Sequence, residues 1–171
     1  MYEAYRGKLA QRFEKSFAWG PLLFENCLYL SSWIIAGLLL WPLGGIWAAL
    51  AFWGYLLTLQ VILKKHVCSG CYYYGKRCHL GWGLLSARMC RPDSGHHKLG
   101  QSLALVCYIA TPIVVLAAAI AGGVWRSGGL SHWILLGVYV ALNIAAQPMR
   151  RRGCSLCAMR LVCPGSAYRK E

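Results

Sequence analysis

The sequence predicts an all-α integral membrane protein, and three features support this prediction. Hydrophobic residues make up 58% of the 171 residues and charged residues only 13%, which is unusual for a soluble domain. Four apolar stretches are each long enough to cross a hydrocarbon core of about 30 Å. The basic residues, which give a formal net charge of +13, flank these stretches instead of forming one broad surface, so no nucleic-acid partner is expected.

Residues 1–21 precede the first apolar stretch and are predicted to form an amphipathic helix on the membrane surface. Aromatic residues and leucine recur there at three- and four-residue steps, with basic residues between them. No small-residue cleavage site follows the next apolar run, so we interpret the segment as retained and not as a signal peptide.

The four apolar stretches form two predicted hairpins, at residues 22–63 and 102–149. Pro42 and the glycines after it divide the first hairpin into two spans, and tryptophans flank the turns of both hairpins, as expected at a membrane interface. Residues 64–101 form a loop between the hairpins, and residues 150–171 form a tail. We interpret the whole chain as one domain.

Basic residues are concentrated in the N-terminal segment, the central loop and the tail. The two outer turns contain a single basic residue, Arg126. The positive-inside rule therefore places the loop and both termini in the cytoplasm, where cysteines stay reduced.

Two cysteine triplets occupy the central loop and the tail. Each begins with Cys-x-x-Cys, which lets two sulfurs of one turn approach the same metal, and basic neighbours favour the thiolate that binds it. The triplets are Cys68, Cys71 and Cys78, and Cys154, Cys157 and Cys163. They predict a cysteine-rich cytoplasmic cap that binds metal.

An internal repeat relates the two halves of the chain. Cys27 and Cys107 begin corresponding spans, and each triplet follows the second span of its half, which leaves Cys90 without a counterpart. The sequence therefore predicts two repeated hairpins related by an axis along the membrane normal. Next to the first triplet, Tyr72, Tyr73, Tyr74 and Trp82 are interpreted as interfacial anchors.

Zinc and an iron–sulfur cluster are both compatible with these cysteines. One tetrahedral zinc site would take the two Cys-x-x-Cys pairs. A second ion would need Cys78 and Cys163 with His79, Cys90, His96 or His97. A cluster on either triplet would need a fourth ligand, which Cys27, Cys107 or Cys90 would supply. The iron–sulfur hypothesis uses more of the thiols and is favoured.

The spacing Cys154-x2-Cys157-x5-Cys163 resembles part of the loops that hold four-iron clusters in two groups of enzymes. These are DNA glycosylases of the endonuclease III type and some radical-SAM enzymes with auxiliary clusters; Cys163-Pro164 is also similar to the Cys-Pro of bacterial ferredoxins. The resemblance implies a [4Fe–4S] cluster. Gln147 stands where the glycosylase pattern has a further cysteine, so that fold and activity are not implied.

The layout of four spans with a cysteine-rich loop resembles the protein palmitoyltransferases, whose loop binds zinc and carries Asp-His-His-Cys. This chain has Cys78-His79 and His96-His97 but no Asp-His-His-Cys, so acyl transfer is a minor alternative.

These observations predict a membrane-bound metal–thiolate protein that exchanges electrons with a membrane redox partner or a lipid-soluble carrier. One alternative is a multi-pass scaffold or transporter subunit with structural zinc. Another is a cysteine-dependent enzyme acting on a lipid or acyl substrate. No Ser-His-Asp set, Walker loop or dinucleotide fingerprint supports catalysis, and the sequence leaves the oligomeric state open.

A reporter fused after Glu171 tests the predicted orientation. We expect cytoplasmic reporter activity because the tail is strongly basic. Activity on the opposite side of the membrane would contradict the orientation and would make disulfide bonds the better interpretation of the cysteines.

Overall fold

The computed structural model describes residues 12–126, 128–163 and 166–168, without the side chains of His97 and Gln101. Its helices are α1 Trp19–Leu39, α2 Trp41–Cys68, α3 Trp82–Met89, α4 His97–Leu105, α5 Thr111–Trp125 and α6 Leu130–Ser155. A π-helical turn, Val106–Ala110, joins α4 to α5 without a break. No strand occurs within these described ranges, so the prediction of an all-α protein is confirmed.

Four helical segments are long and apolar enough to cross a membrane. They are α1, α2, the continuous segment Lys98–Trp125, and α6. Large apolar side chains cover their outer surfaces, and Trp47 and Trp125 are 76% and 79% exposed near the two outer turns. These features fit a multi-pass integral membrane protein in contact with lipid, as predicted.

Two of the spanning helices continue past their predicted ends. α2 runs through Lys64 and Lys65 to Cys68, and α6 runs through three arginines to Ser155. The apolar pattern ends at the basic residues, but Lys and Arg are good helix formers, so the backbone stays helical. As a result, the first cysteine of each triplet lies in the last turn of a helix.

The N-terminal segment differs from the predicted helix over residues 1–21. Residues 1–11 lie outside the described part of the chain, residues 12–18 are not helical, and α1 begins at Trp19. The backbone N–H groups of Glu14 and Phe17 donate to the carbonyls of Leu156 and Arg77 at 2.9 and 3.1 Å. These long-range bonds hold residues 12–18, here called the strap, across both cysteine-containing segments.

Proline and glycine shape the two irregular regions of the spans. Gly44 and Gly45 depart from helical geometry after Pro42, and Gly45 has a φ of 59° that favours glycine, so the predicted break is present. Pro112 follows the π-helical turn, and the Thr111 hydroxyl donates to the Val106 carbonyl at 3.0 Å. This side-chain bond gives the Val106 carbonyl, in the π-helical turn before Pro112, a hydrogen-bond donor.

The spanning helices pack mainly across the two halves of the chain. α1 packs against α6, and α2 packs against α4. Asn143 on α6 donates to the Ser32 hydroxyl on α1 at 2.9 Å. Contacts of this kind bring the last turns of α2 and α6 to the same end of the bundle.

A glycine contact between α1 and α2 gives a direct test of this packing. A Cβ at Gly37 would lie 2.7 Å from the Trp53 ring, whose Nε1 donates to the Trp33 carbonyl at 3.1 Å. We expect Gly37→Ala to lower the free energy of unfolding by about 1–3 kcal/mol through overpacking.

Gly54→Ala is the matched control, because a Cβ there has nothing within 4 Å. Thermal unfolding in detergent should show an unchanged or slightly higher midpoint for this variant. Equal midpoints for the two variants would contradict the described contact.

Candidate functional site

All six cysteines of the two triplets line one cavity of about 140 Å³. They are Cys68, Cys71, Cys78, Cys154, Cys157 and Cys163. We call this space the cysteine cavity. It lies at the basic end of the helix bundle, and residues from both halves of the chain form its walls.

The two triplets begin with the same local structure. Cys68 is the last residue of α2, and the N–H of Cys71 donates to its carbonyl at 3.3 Å. Cys154 lies in the last turn of α6, and the N–H of Cys157 donates to its carbonyl at 3.1 Å. Each Cys-x-x-Cys therefore forms one tight turn at a helix end, and both of its cysteines line the cavity.

The other four cysteines of the two triplets accept backbone hydrogen bonds in the same way. The carbonyls of Cys71 and Cys157 accept from the N–H groups three residues later at 3.0 and 3.2 Å. The carbonyls of Cys78 and Cys163 do so at 2.9 and 3.2 Å. Corresponding cysteines of the two triplets therefore have matching backbone hydrogen bonds.

Backbone donors also reach two of the sulfurs at matching positions. The N–H of Tyr73 bonds to the Cys71 sulfur, and the N–H of Met159 bonds to the Cys157 sulfur. Burial nevertheless raises the pKa of Cys157 to about 12 and that of Cys71 well above its usual range. These two thiols are therefore protonated without a bound cation, which is the opposite of the shift that activates a cysteine nucleophile.

Tyr73 joins the two triplets and the strap, although its sequence context predicts an interfacial anchor. Its side chain is 1% exposed. The hydroxyl donates to the Glu14 carbonyl at 2.6 Å and accepts from the N–H of Ala158 at 3.0 Å. Nothing in the local sequence distinguishes Tyr73 from the neighbouring tyrosines, because its partners lie far away in the chain.

His79 also lines the cysteine cavity, as expected for a possible further ligand. Burial, together with the charges of Arg150 and Lys64, lowers the pKa of His79 to about 4. Its imidazole is therefore neutral at pH 7, the form that binds metal. A Cβ at Gly153 would lie 2.8 Å from this ring, so the glycine before Cys154 makes room for it.

Positive groups also line the cysteine cavity, and no sequence motif distinguishes them from the other basic residues. Lys64 is 7% exposed; its Nζ donates to the Tyr108 hydroxyl at 3.1 Å and lies 4.5 Å from the centre of the Trp82 ring. Arg160 also lines the cavity, and its buried Nε has no hydrogen-bond partner among the described residues. The cavity therefore combines six thiols with a buried cation and an unpaired donor.

The three other cysteines lie outside the cavity lining. Cys27 is exposed on α1. Cys107 is buried in the π-helical turn, where its sulfur accepts from Gln60 Nε2 at 3.0 Å. Cys90 follows α3, and its carbonyl accepts from the Tyr74 hydroxyl at 2.6 Å. The structure thus brings together the two triplets and His79, but not the three other cysteines.

Within the described residues, no three His, Cys, Asp or Glu side chains form a compact group that could hold a metal ion as they stand. None of the nine cysteines, all of which lie in the described ranges, forms a disulfide bond. The six sulfurs surround a shared space and do not converge on a single point. No protein-family model, curated protein or solved structure matches this chain.

Removal of the Tyr73 hydroxyl tests its bridging role. Tyr73→Phe leaves the buried N–H of Ala158 and the Glu14 carbonyl without this partner, and we expect a loss of about 1–3 kcal/mol in the free energy of unfolding. Tyr74→Phe is the control, because it removes a single bond to the Cys90 carbonyl outside the cavity. Unfolding midpoints that rank Tyr74→Phe as the less stable variant would contradict this role.

Proposed function

We propose that the cysteine cavity holds an iron–sulfur centre and that the protein transfers electrons at the cytoplasmic membrane face. The observation that supports this proposal is the convergence of both cysteine triplets on one cavity. The centre would join two repeated hairpins through a cysteine-rich cap. An iron–sulfur cluster would supply one-electron exchange at this position.

The charges around the cavity favour an anionic centre. The contacts of the Lys64 ammonium with Tyr108 and Trp82 are with neutral groups. A buried cation is costly without a counter-charge, and thiolates bound to metal supply one. The free Nε of Arg160 would donate to the same anionic group.

The cavity volume favours a centre with several metal ions. A space of about 140 Å³ exceeds what one ion requires, since a water molecule takes up about 30 Å³ in the liquid. Four thiolates suffice for one cluster, so the six cysteines are an adequate ligand set. The N–H groups of Tyr73 and Met159 would stabilise the bound thiolates and tune the potential.

The location of the cavity suits exchange with a membrane component. Both triplets begin in the last turn of a spanning helix, so the centre would lie near the membrane surface. The basic residues around them support a cytoplasmic location under the positive-inside rule. Electrons would pass between this centre and a membrane redox partner or a lipid-soluble carrier.

The number of cysteines also supports a second candidate, a structural zinc clasp. Two tetrahedral zinc ions have eight coordination positions in total. Six thiolates fill all eight when two of the thiolates bridge both ions. The matching backbone bonds of the triplets suit such a symmetric arrangement. In that case the protein is a membrane scaffold or transporter subunit whose halves are held together by zinc.

Elemental analysis of protein purified without oxygen or chelator separates the two candidates. An iron–sulfur centre gives iron with matching acid-labile sulfide and broad visible absorption. Zinc without sulfide supports the clasp. Protein with neither metal contradicts both.

Cysteine variants test whether the two triplets serve one centre. We expect Cys68→Ser and Cys154→Ser each to lose most of the bound metal, because each removes a thiolate from the same cavity. Cys27→Ser is the control and should retain it, since this cysteine is exposed outside the lining. Unchanged metal in both cavity variants would exclude a shared centre.

A further inference from the structure

A second cavity lies beside the cysteine cavity at the same end of the bundle. It is a groove of about 810 Å³ between the strap, the first turns of α1 and the last turns of α6. His79 lines both the groove and the cysteine cavity, so its ring stands between them. A molecule in the groove would therefore lie on the opposite side of His79 from the cysteine cavity.

Glu25 gives the groove a buried hydrogen-bond acceptor. Its side chain is 3% exposed, and Oε1 has no hydrogen-bond partner among the described residues. The amide of the neighbouring Asn26 is already bonded to the carbonyls of Leu22 and Leu80 at 2.8 and 3.1 Å. A buried acceptor of this kind is stabilised by a ligand that brings an O–H or N–H group.

Much of the groove wall is apolar and reaches the lipid-facing surface. The apolar lining includes Phe17, Pro21, Leu22, Phe24 and Met149. Phe24 is 57% exposed on α1, a helix long and apolar enough to span a membrane. A ligand dissolved in the bilayer would reach Glu25 along this wall without first entering water.

We propose that the groove binds the hydroxyl-bearing ring of a quinol, with the Glu25 carboxylate accepting a hydrogen bond from one ring hydroxyl. A quinol combines the donor that Glu25 lacks with an apolar ring and tail that suit the wall. The proposal rests on the electron-transfer function given above, since it names the lipid-soluble carrier that would meet the centre. His79 is a positioning residue that separates the carrier from the sulfur atoms.

The test is anaerobic titration calorimetry of a short-chain naphthoquinol into the full chain in phosphatidylcholine nanodiscs. We expect saturable binding that Glu25→Leu weakens about tenfold or more, because the hydrogen bond from the ring hydroxyl to the buried Oε1 is lost. Leu23→Ala is the matched control; this neighbour is 56% exposed, lies outside the groove lining and should leave binding unchanged. Metal content should be the same in all three proteins.

A second probe tests the same bond without any substitution. The dimethyl ether of the naphthoquinol has no donor and should bind the unaltered chain about tenfold more weakly. Equal binding of quinol and ether, equal binding to Glu25→Leu, or no quinol binding would overturn the proposal. Phosphatidylethanolamine that is retained through purification, lost in Glu25→Leu and not displaced by quinol would assign the groove to a lipid head group and would also overturn it.

Failure of the electron-transfer function gives a different result. It appears as a lack of iron and sulfide in the unaltered chain, which is measured separately from the titration. Quinol binding that fails while iron and sulfide are present would reject only the groove proposal.

Discussion

The structure depends on packing between the two halves of the chain. α1 packs on α6 and α2 packs on α4, so each hairpin is held by the other as well as by its own turn. This packing places the ends of α2 and α6 together, and the turns that follow them carry the two cysteine triplets into one cavity. The strap and the Tyr73 hydroxyl then fix these turns to each other through backbone hydrogen bonds.

The same geometry creates an electrostatic requirement at the basic end of the bundle. Lys64 lines the cysteine cavity with neutral contacts, and the buried Nε of Arg160 has no hydrogen-bond partner in the described part of the chain. Metal-bound thiolates would satisfy both groups, whereas neutral thiols supply neither charge nor a strong acceptor. The adjacent groove has the opposite deficiency, because the buried Oε1 of Glu25 has no hydrogen-bond donor among the described residues. His79 lines both of these spaces.

The sequence was sufficient to predict the four spans, the break after Pro42 and the two cysteine triplets, since these depend on apolar length and local spacing. It could not predict that residues 12–18 form a strap or that Tyr73 is buried, because both depend on hydrogen bonds to residues far along the chain. The apolar pattern predicts that the second span ends before Lys64, so the sequence places this residue in a basic flank and does not predict that it is buried. Cys27 and Cys107 matched the repeat, yet helix orientation places one on the surface and the other beside Gln60.

The most direct test of a single shared centre is native mass spectrometry of the intact chain, purified without oxygen and released from detergent. One centre between the two triplets predicts a single added mass per chain, either one iron–sulfur cluster or two zinc ions. Loss of that mass on acidification should return the mass of the polypeptide alone. A chain with no added mass, or a mixture of chains with one and two independent clusters, would contradict a centre shared by the two triplets.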